Sequence, residues 1–369
     1  MGLGRLRDGL APTPPMGWNS WNRFQAKIDE RLIRETAEAM VETGMRDAGY
    51  RYVVIDDGWE APRRNAHGEL EGDPDRFASG IADLAKRVHE LDLRFGIYTD
   101  AGTATCQGFP ASLGNEERDA RRFALWGVDY VKVDWCHTDG LRGRTQYPIW
   151  TEAFPRAGRP MILSICEWGR DRPWEWGPQV GHLWRTCWDI QDTWSSLIGV
   201  VDHQRGLARY AGPDAWNDPD MLEVGNGGMT LDECRAHFSL WCVLAAPLMA
   251  GNDLREMSED VRAILTAPEP IAVDQDPLGR QGDLVRAERS GEVWARELAG
   301  GARAVVLFNR SLRAEEIVVR WTDLGWDARE PVVVRDLWER ADRGTLTEAF
   351  AATVPTHGAA MLRLTSASR

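Results

Sequence analysis

From Met16 to about Asp276 the chain repeats one rhythm: a short apolar run, a turn, then a longer stretch with apolar residues three and four apart. Short apolar runs between turn residues predict buried strands, and the longer spacing predicts helices with one buried face. The strand-like segments are Met16–Asn22, Tyr50–Asp57, Arg94–Thr99, Tyr130–Asp134, Met161–Cys166, Leu183–Trp188, Ala215–Asn217 and Leu248–Gly251. Helical spacing marks Glu30–Ala48, where Leu32, Ile33, Ala37, Met40 and Val41 share a face, and then Ile81–Leu91, Glu116–Trp126 and Leu231–Leu244. Strands alternating with helices imply an α/β architecture with a parallel sheet, and eight strands suggest closure into a (β/α)8 TIM barrel. The span fits the ~250 residues usual for that barrel.

After Asp276 the period changes to two. Val285–Glu288, Val293–Glu297, Ala304–Asn309, Glu316–Arg320, Val332–Asp336, Phe350–Val354 and Ala359–Leu364 are short alternating runs separated by turn residues. They predict an antiparallel β-sandwich over residues 278–369, following a barrel over 1–277, with the join near Asp274–Gly279. This second part has no concentrated polar cluster and reads as a structural appendage. No repeat of solenoid period and no low-complexity segment is present.

Composition narrows the classes. The net charge is −13 and no run of Lys or Arg occurs, which argues against nucleic acid and acidic membranes as partners. No apolar run approaches membrane-spanning length, so no membrane partner is expected. Met1–Pro15 has basic residues but no apolar core of signal-peptide length, which favours a cytoplasmic location; a removed signal would leave the same trace. Six cysteines without a CxxC pair make zinc improbable, and seven histidines show no HxH or HExxH spacing. With no GxGxxG or P-loop string either, neither a metal nor a cofactor is expected. An oligomer is compatible with the sequence. Eighteen Trp stand against six Tyr and nine Phe. Flat indoles suit a wall against the C–H face of a sugar, although core filling must account for some of them.

Position is the informative fact. The barrel segments end at Trp21, Asp56 with Asp57, Asp100, Asp134, Glu167, Asp189 and Asp220. Residues at the C-terminal ends of barrel strands converge on one site. A single Asp there can be a helix N-cap, but the whole set is poorly explained that way. In Val131-Lys132-Val133-Asp134, Lys132 and Asp134 share a strand face. A buried structural ion pair would show this pattern. So would a nucleophile, with Lys132 keeping Asp134 ionised. Many carboxylates, many indoles and few histidines fit glycoside hydrolysis, in which two carboxyl groups flank the bond. The second must stay protonated, and Asp189, among indoles and near an ionised Asp134, has surroundings that raise a pKa. Asp192 competes for that role, and spacing does not decide between them.

The strings PPMGWNSWNRF, YVVIDDGW, FGIYTDAGTATC, WGVDYVKVDWC, SICEWG, WRTCWDIQDTW and WNDPDMLEVGNGG resemble glycoside hydrolase family 27, the α-galactosidases and α-N-acetylgalactosaminidases. The resemblance runs from Thr13 to Gln281 and is looser in the β-sandwich. It implies Asp134 as nucleophile and Asp189, rather than Asp192, as acid/base. It further implies Lys132 on a sugar hydroxyl and Glu167 with Arg185 on the 2-hydroxyl. Asp56 and Asp57 would hold the 4- and 6-hydroxyls, Trp21 would pack on the ring, and Tyr98, Asp220 and Met221 would complete the pocket. Cys106 and Cys136 match a family disulfide, which a cytoplasmic setting would leave reduced.

One departure stands out: where animal members carry a partner for the cysteine of CEW, this chain has Gly181, so Cys166 lacks one. A carboxylate at Glu167 leaves little room for an N-acetyl group, and the Asp56-Asp57 pair suits galactose. The resemblance therefore implies a retaining α-galactosidase acting on a galactosyl oligosaccharide or glycoconjugate, with Asp134 and Asp189 about 5–6 Å apart. The alternatives are a β-L-arabinopyranosidase, an α-N-acetylgalactosaminidase, or a non-catalytic carbohydrate-binding protein.

Overall fold

The computed structural model describes residues 6–367. The ends of the two expected domains, and part of the Met1–Pro15 lead-in, lie outside the described residues. Eight short parallel strands form the central sheet: β1 (Met16–Asn19), β2 (Tyr52–Ile55), β3 (Arg94–Asp100), β4 (Tyr130–Asp134), β5 (Ile162–Ile165), β6 (Leu183–Arg185), β7 (Trp216–Asp218) and β8 (Leu248–Ala250). Their order is β7-β6-β5-β4-β3-β2-β1-β8, with β1 paired to both β2 and β8. The seam between β7 and β8 closes through one bridge, Leu222 to Ala250. The sheet is thus curled into a TIM-type barrel with its C-terminal strand ends at one mouth.

The strands end where burial and turn chemistry allow. Val131 and Val133 are fully buried against the helical layer, while Lys132 and Asp134 look inward. Beyond β3 and β4 the loops cross closely, so that a Cβ on Gly102 would lie 2.0 Å from the Cys136 carbonyl oxygen. Cys106 and Cys136 are bridged across the same crossing, while Cys166 and Cys187 are free thiols.

Several boundaries differ from the expectation. The helix foreseen over Glu30–Ala48 stops at Glu42; Gly44, at φ 81°, turns the chain into a separate turn at Met45–Ala48. Between β5 and β6 there is no α-helix, only two 3-10 turns at Pro173–Glu175 and Gly177–Gln179. Helices unmarked by spacing occupy Gly143–Ala157 and Trp194–His203, the first containing Pro148 and Pro155, which mask a helical reading. The strand foreseen over Leu183–Trp188 ends at Arg185, which leaves Asp189 in a loop.

The second domain begins with β9 (Asp283–Glu288) and continues with β10 (Gly291–Glu297), β11 (Arg303–Asn309), β12 (Glu315–Arg320), β13 (Val332–Asp336), β14 (Ala341–Leu346), β15 (Ala349–Val354) and β16 (Ala359–Ser366). Six strands form one sheet, and β12 with β15 the other. The unforeseen strand is β14, an edge strand whose middle residues are all exposed, so no alternation announces it. The Leu231–Leu244 helix is buried nearly all round because barrel and sandwich both pack on it.

The tight crossing yields a test. Gly102→Ala forces a backbone shift and is expected to cost about 1–3 kcal/mol. Urea unfolding of the purified chain measures it, and an unchanged midpoint would contradict the close approach.

Candidate active site

Asp134 ends β4 at the barrel mouth, and the neighbouring strand ends close a pocket of about 70 Å³ around it. Trp21, Asp56, Asp57, Tyr98, Lys132, Asp134, Arg185, Asp189, Asp220 and Met221 all line it. The structure therefore brings together every expected catalytic and substrate-binding residue except Glu167, while the strand-end acid Asp100 is buried outside the pocket, accepting from the Gly102 and Cys136 N–H groups. Most of the eighteen tryptophans lie elsewhere: Trp18, Trp59, Trp150, Trp184, Trp216, Trp241, Trp294 and Trp321 are fully buried. Only Trp21 and Trp168 line this pocket. Core filling is the main use of indole here.

Two cations organise the site. Lys132 Nζ sits 2.8 Å from Asp56 Oδ2, which also accepts from Asn19 Nδ2 at 2.7 Å. The expectation that Lys132 pairs with Asp134 is thus corrected: its short contact is to β2, and it reaches Asp134 only through the longer-range field. Arg185 is the second cation, buried, with Nη1 3.0 Å from Asp220 Oδ1 and Nη2 2.9 Å from Asp189 Oδ1. The Ile190 N–H donates to Asp220 Oδ2 at 2.8 Å, and the Trp241 indole donates to the Asp220 carbonyl at 2.8 Å. These contacts hold Asp220 at φ 91°, a conformation rare outside glycine.

Charge tuning also departs from the expectation. Burial pushes the Asp134 carboxyl above the ordinary carboxylate range, and Lys132 draws it part of the way back. For Asp189 burial acts upward, but Arg185 and Lys132 outweigh it and leave the carboxyl below the usual range. Asp189 lies four residues past β6 with its side chain 63% exposed, so indoles do not enclose it. Around the pair, burial lifts Asp57 to about 6, Asp220 to about 6 and Asp100 to about 8.

Glu167 does not line the pocket. Its side chain is fully buried; Oε2 accepts from the Asp171 N–H at 2.6 Å, and burial raises it to about 7. The next residue, Trp168, at φ 57°, faces the pocket instead. Neighbouring side chains diverge, so only one of the two can face inward. Cys166 is beside it, with Arg185 Nη1 3.7 Å from its sulfur. Trp168 and Asn22 were not foreseen as pocket residues, although both stand beside predicted ones, and that adjacency was the available signal. Asp192, the rival to Asp189, lies outside the inner pocket and binds the Gly228 N–H. Among the described residues one group has metal-ligand spacing, Asp100 with Cys106 and Cys136, but its two sulfurs are bonded to each other and offer no thiolate.

Acids gathered with two cations and two indoles in a barrel mouth fit the class of glycoside hydrolases. The family model described as alpha galactosidase A matches residues 13–276, and that described as the alpha galactosidase C-terminal beta sandwich domain matches 288–364. The chain belongs to this alpha-galactosidase family. An alpha-galactosidase of Coffea arabica is 46% identical over 98% of this chain and 96% of its own. Among solved structures, alpha-galactosidase I from Mortierella vinacea superposes with a TM-score of 0.96 at 34% identity, covering 98% of this chain and 99% of its own. The Saccharomyces cerevisiae alpha-galactosidase solved with raffinose gives 0.93 at 26% identity, covering 98% and 99%.

Lys132→Met removes the cation from a buried pair and is expected to cost about 3–5 kcal/mol of stability. The sign of the pH effect follows from the pull of Lys132. It draws down both Asp134 and Asp189, so without it both ionise at higher pH and both limbs of kcat/KM move upward. A pH–rate profile of the variant checks this, and an unmoved limb would refute the electrostatic coupling.

Proposed function

We propose that the chain is a retaining α-galactosidase that releases terminal α-linked galactose through a covalent galactosyl-aspartate. The observation that carries this is Asp134 and Asp189 in one pocket with Asp56, Asp57 and Lys132. The Asp134 carboxylate attacks the anomeric carbon as its bond to the leaving oxygen breaks, and Asp189 protonates that oxygen. Asp189 then takes a proton from water, whose oxygen attacks the same carbon and frees Asp134.

This chemistry needs Asp134 ionised and Asp189 protonated, the reverse of the order that the unliganded charges favour. The reactive form, with the proton on Asp189 and not on Asp134, is therefore the minority one. A sugar in the pocket excludes water and competes for Arg185, and both effects raise Asp189. The bulk of Trp168, rather than a carboxylate at Glu167, then stands against an N-acetyl group. The Cys106–Cys136 bridge fits an oxidising compartment better than the cytoplasm.

Turnover of 4-nitrophenyl α-galactoside, compared with the β-L-arabinopyranoside and the α-N-acetylgalactosaminide, tests the specificity. No release from the α-galactoside would sink the proposal, and faster release from another glycoside would move it to that sugar. Proton NMR of the first-formed product should show the α-anomer. Asp134→Asn should lower kcat by about four to six orders of magnitude.

A further inference from the structure

Asp189 is held less by packing than by its loop. Its side chain is 63% exposed and meets Arg185, so its place is set by residues 186–193, between β6 and the Trp194–His203 helix. That loop is docked on the helix that follows it. The Gln191 N–H donates to Ser196 Oγ at 2.9 Å, and Thr193 caps the helix by accepting from the Ser196 N–H. The Trp188 ring stands edge-on to His203 at 4.3 Å. Where this helix sits therefore decides where Asp189 sits.

The sandwich grips the helix at both ends. At the far end Asp202 pairs with Arg310 at 2.6 Å, and Arg205, just past it, pairs with Glu292 at 2.6 Å. At the first residue the His357 ring lies on the Trp194 indole, centroids 4.2 Å apart and planes 12° from parallel, with Phe308 of β11 beside it. His357 reaches the loop by a second route. Its Nδ1 is 2.7 Å from Glu233 Oε1, and Glu233 Oε2 accepts from the Thr230 N–H at 2.8 Å. Just before Thr230, the Gly228 N–H donates to Asp192. One imidazole thus braces the supports of both Asp192 and Trp194, on the helix side of Asp189. Its backbone is at φ 55°, in a turn that Asn309 Nδ2 ties down through the Pro355 carbonyl at 2.9 Å. A left-handed residue other than glycine is costly and persists only where its surroundings impose it. Here the turn delivers the ring to Trp194.

We propose that His357 of the β-sandwich is a positioning residue for proton transfer: stacked on Trp194 and braced on Glu233, it holds the Asp189 loop where the carboxyl meets the leaving oxygen. The inference rests on the reading of Asp189 as acid/base. A misplacement of about 1 Å in such a group costs up to about a hundredfold in rate. The loss falls on leaving groups that need a proton and spares those that depart without one.

The test compares kcat/KM of the full chain on methyl α-galactoside and on 2,4-dinitrophenyl α-galactoside, whose phenolate leaves unprotonated. Asn tolerates the left-handed backbone and keeps a donor for Glu233, so His357→Asn removes only the ring. It should lower the methyl galactoside value about tenfold and the dinitrophenyl value by no more than about twofold. Trp194→Leu should show the same split, and decides the matter if His357→Asn does not fold. Trp194→Phe, which keeps a ring under the imidazole, should retain most of the activity. Equal losses on both substrates, or an unaffected methyl galactoside value, would overturn the proposal. Asp189→Ala is the reference: if it shows no split, or the parent turns over neither substrate, the reading of Asp189 fails first. A split in Asp189→Ala without one in His357→Asn confines the failure to His357.

Discussion

Five carboxylates and two cations share the mouth of this barrel, and the site depends on how that imbalance is held. Asp56, Asp57, Asp134, Asp189 and Asp220 face one pocket that contains only Lys132 and Arg185 as counter-charges. Ionised carboxylates removed from water are costly unless paired. The two cations are therefore spent on particular partners, Lys132 on Asp56 and Arg185 on Asp220 and Asp189. Burial still lifts Asp57 and even the paired Asp220 to about 6, and moves Asp134 in the same direction. A site in this condition exchanges protons readily, as general acid–base work requires.

The backbone carries part of the load. After Asp218 the chain leaves the sheet, holds Asp220 at φ 91°, and regains the barrel only at Leu222, which closes the seam. That detour places Asp220 and Met221 in the pocket wall. Such strain persists only where the surroundings over-determine it. Here Arg185, the Ile190 N–H and the Trp241 indole do so.

Trp241 belongs to the Leu231–Leu244 helix, and this ties the sandwich to the site. Buried Arg296 of β10 donates to the Cys242 carbonyl at 2.9 Å and to the Asp274 carbonyl at 3.1 Å. The Trp338 indole donates to Ser239 Oγ at 2.9 Å, and His357 lies 2.7 Å from Glu233. The second domain supplies no side chain to the inner pocket, yet it fixes from behind the helix that holds Asp220 in place.

What the chain reveals unaided is what its own local preferences decide. The run from Tyr130 to Asp134 is a strand because valines alternate with polar residues, and its last carboxylate must stand at the barrel mouth. By the same logic Asp56 and Asp57 stand at the mouth end of their strand, whereas Tyr98 is legible only through the family resemblance. Tertiary structure decided the pairings. Lys132 selects Asp56, 76 residues away, over Asp134 two residues away, because β2 and β4 bring those side chains together across the barrel. It also decided that Trp168 and not Glu167 lines the pocket, since alternation lapses once β5 ends at Ile165. Periodicity records which face a residue shares with its neighbours. Which distant charge it meets there depends on how the whole barrel closes.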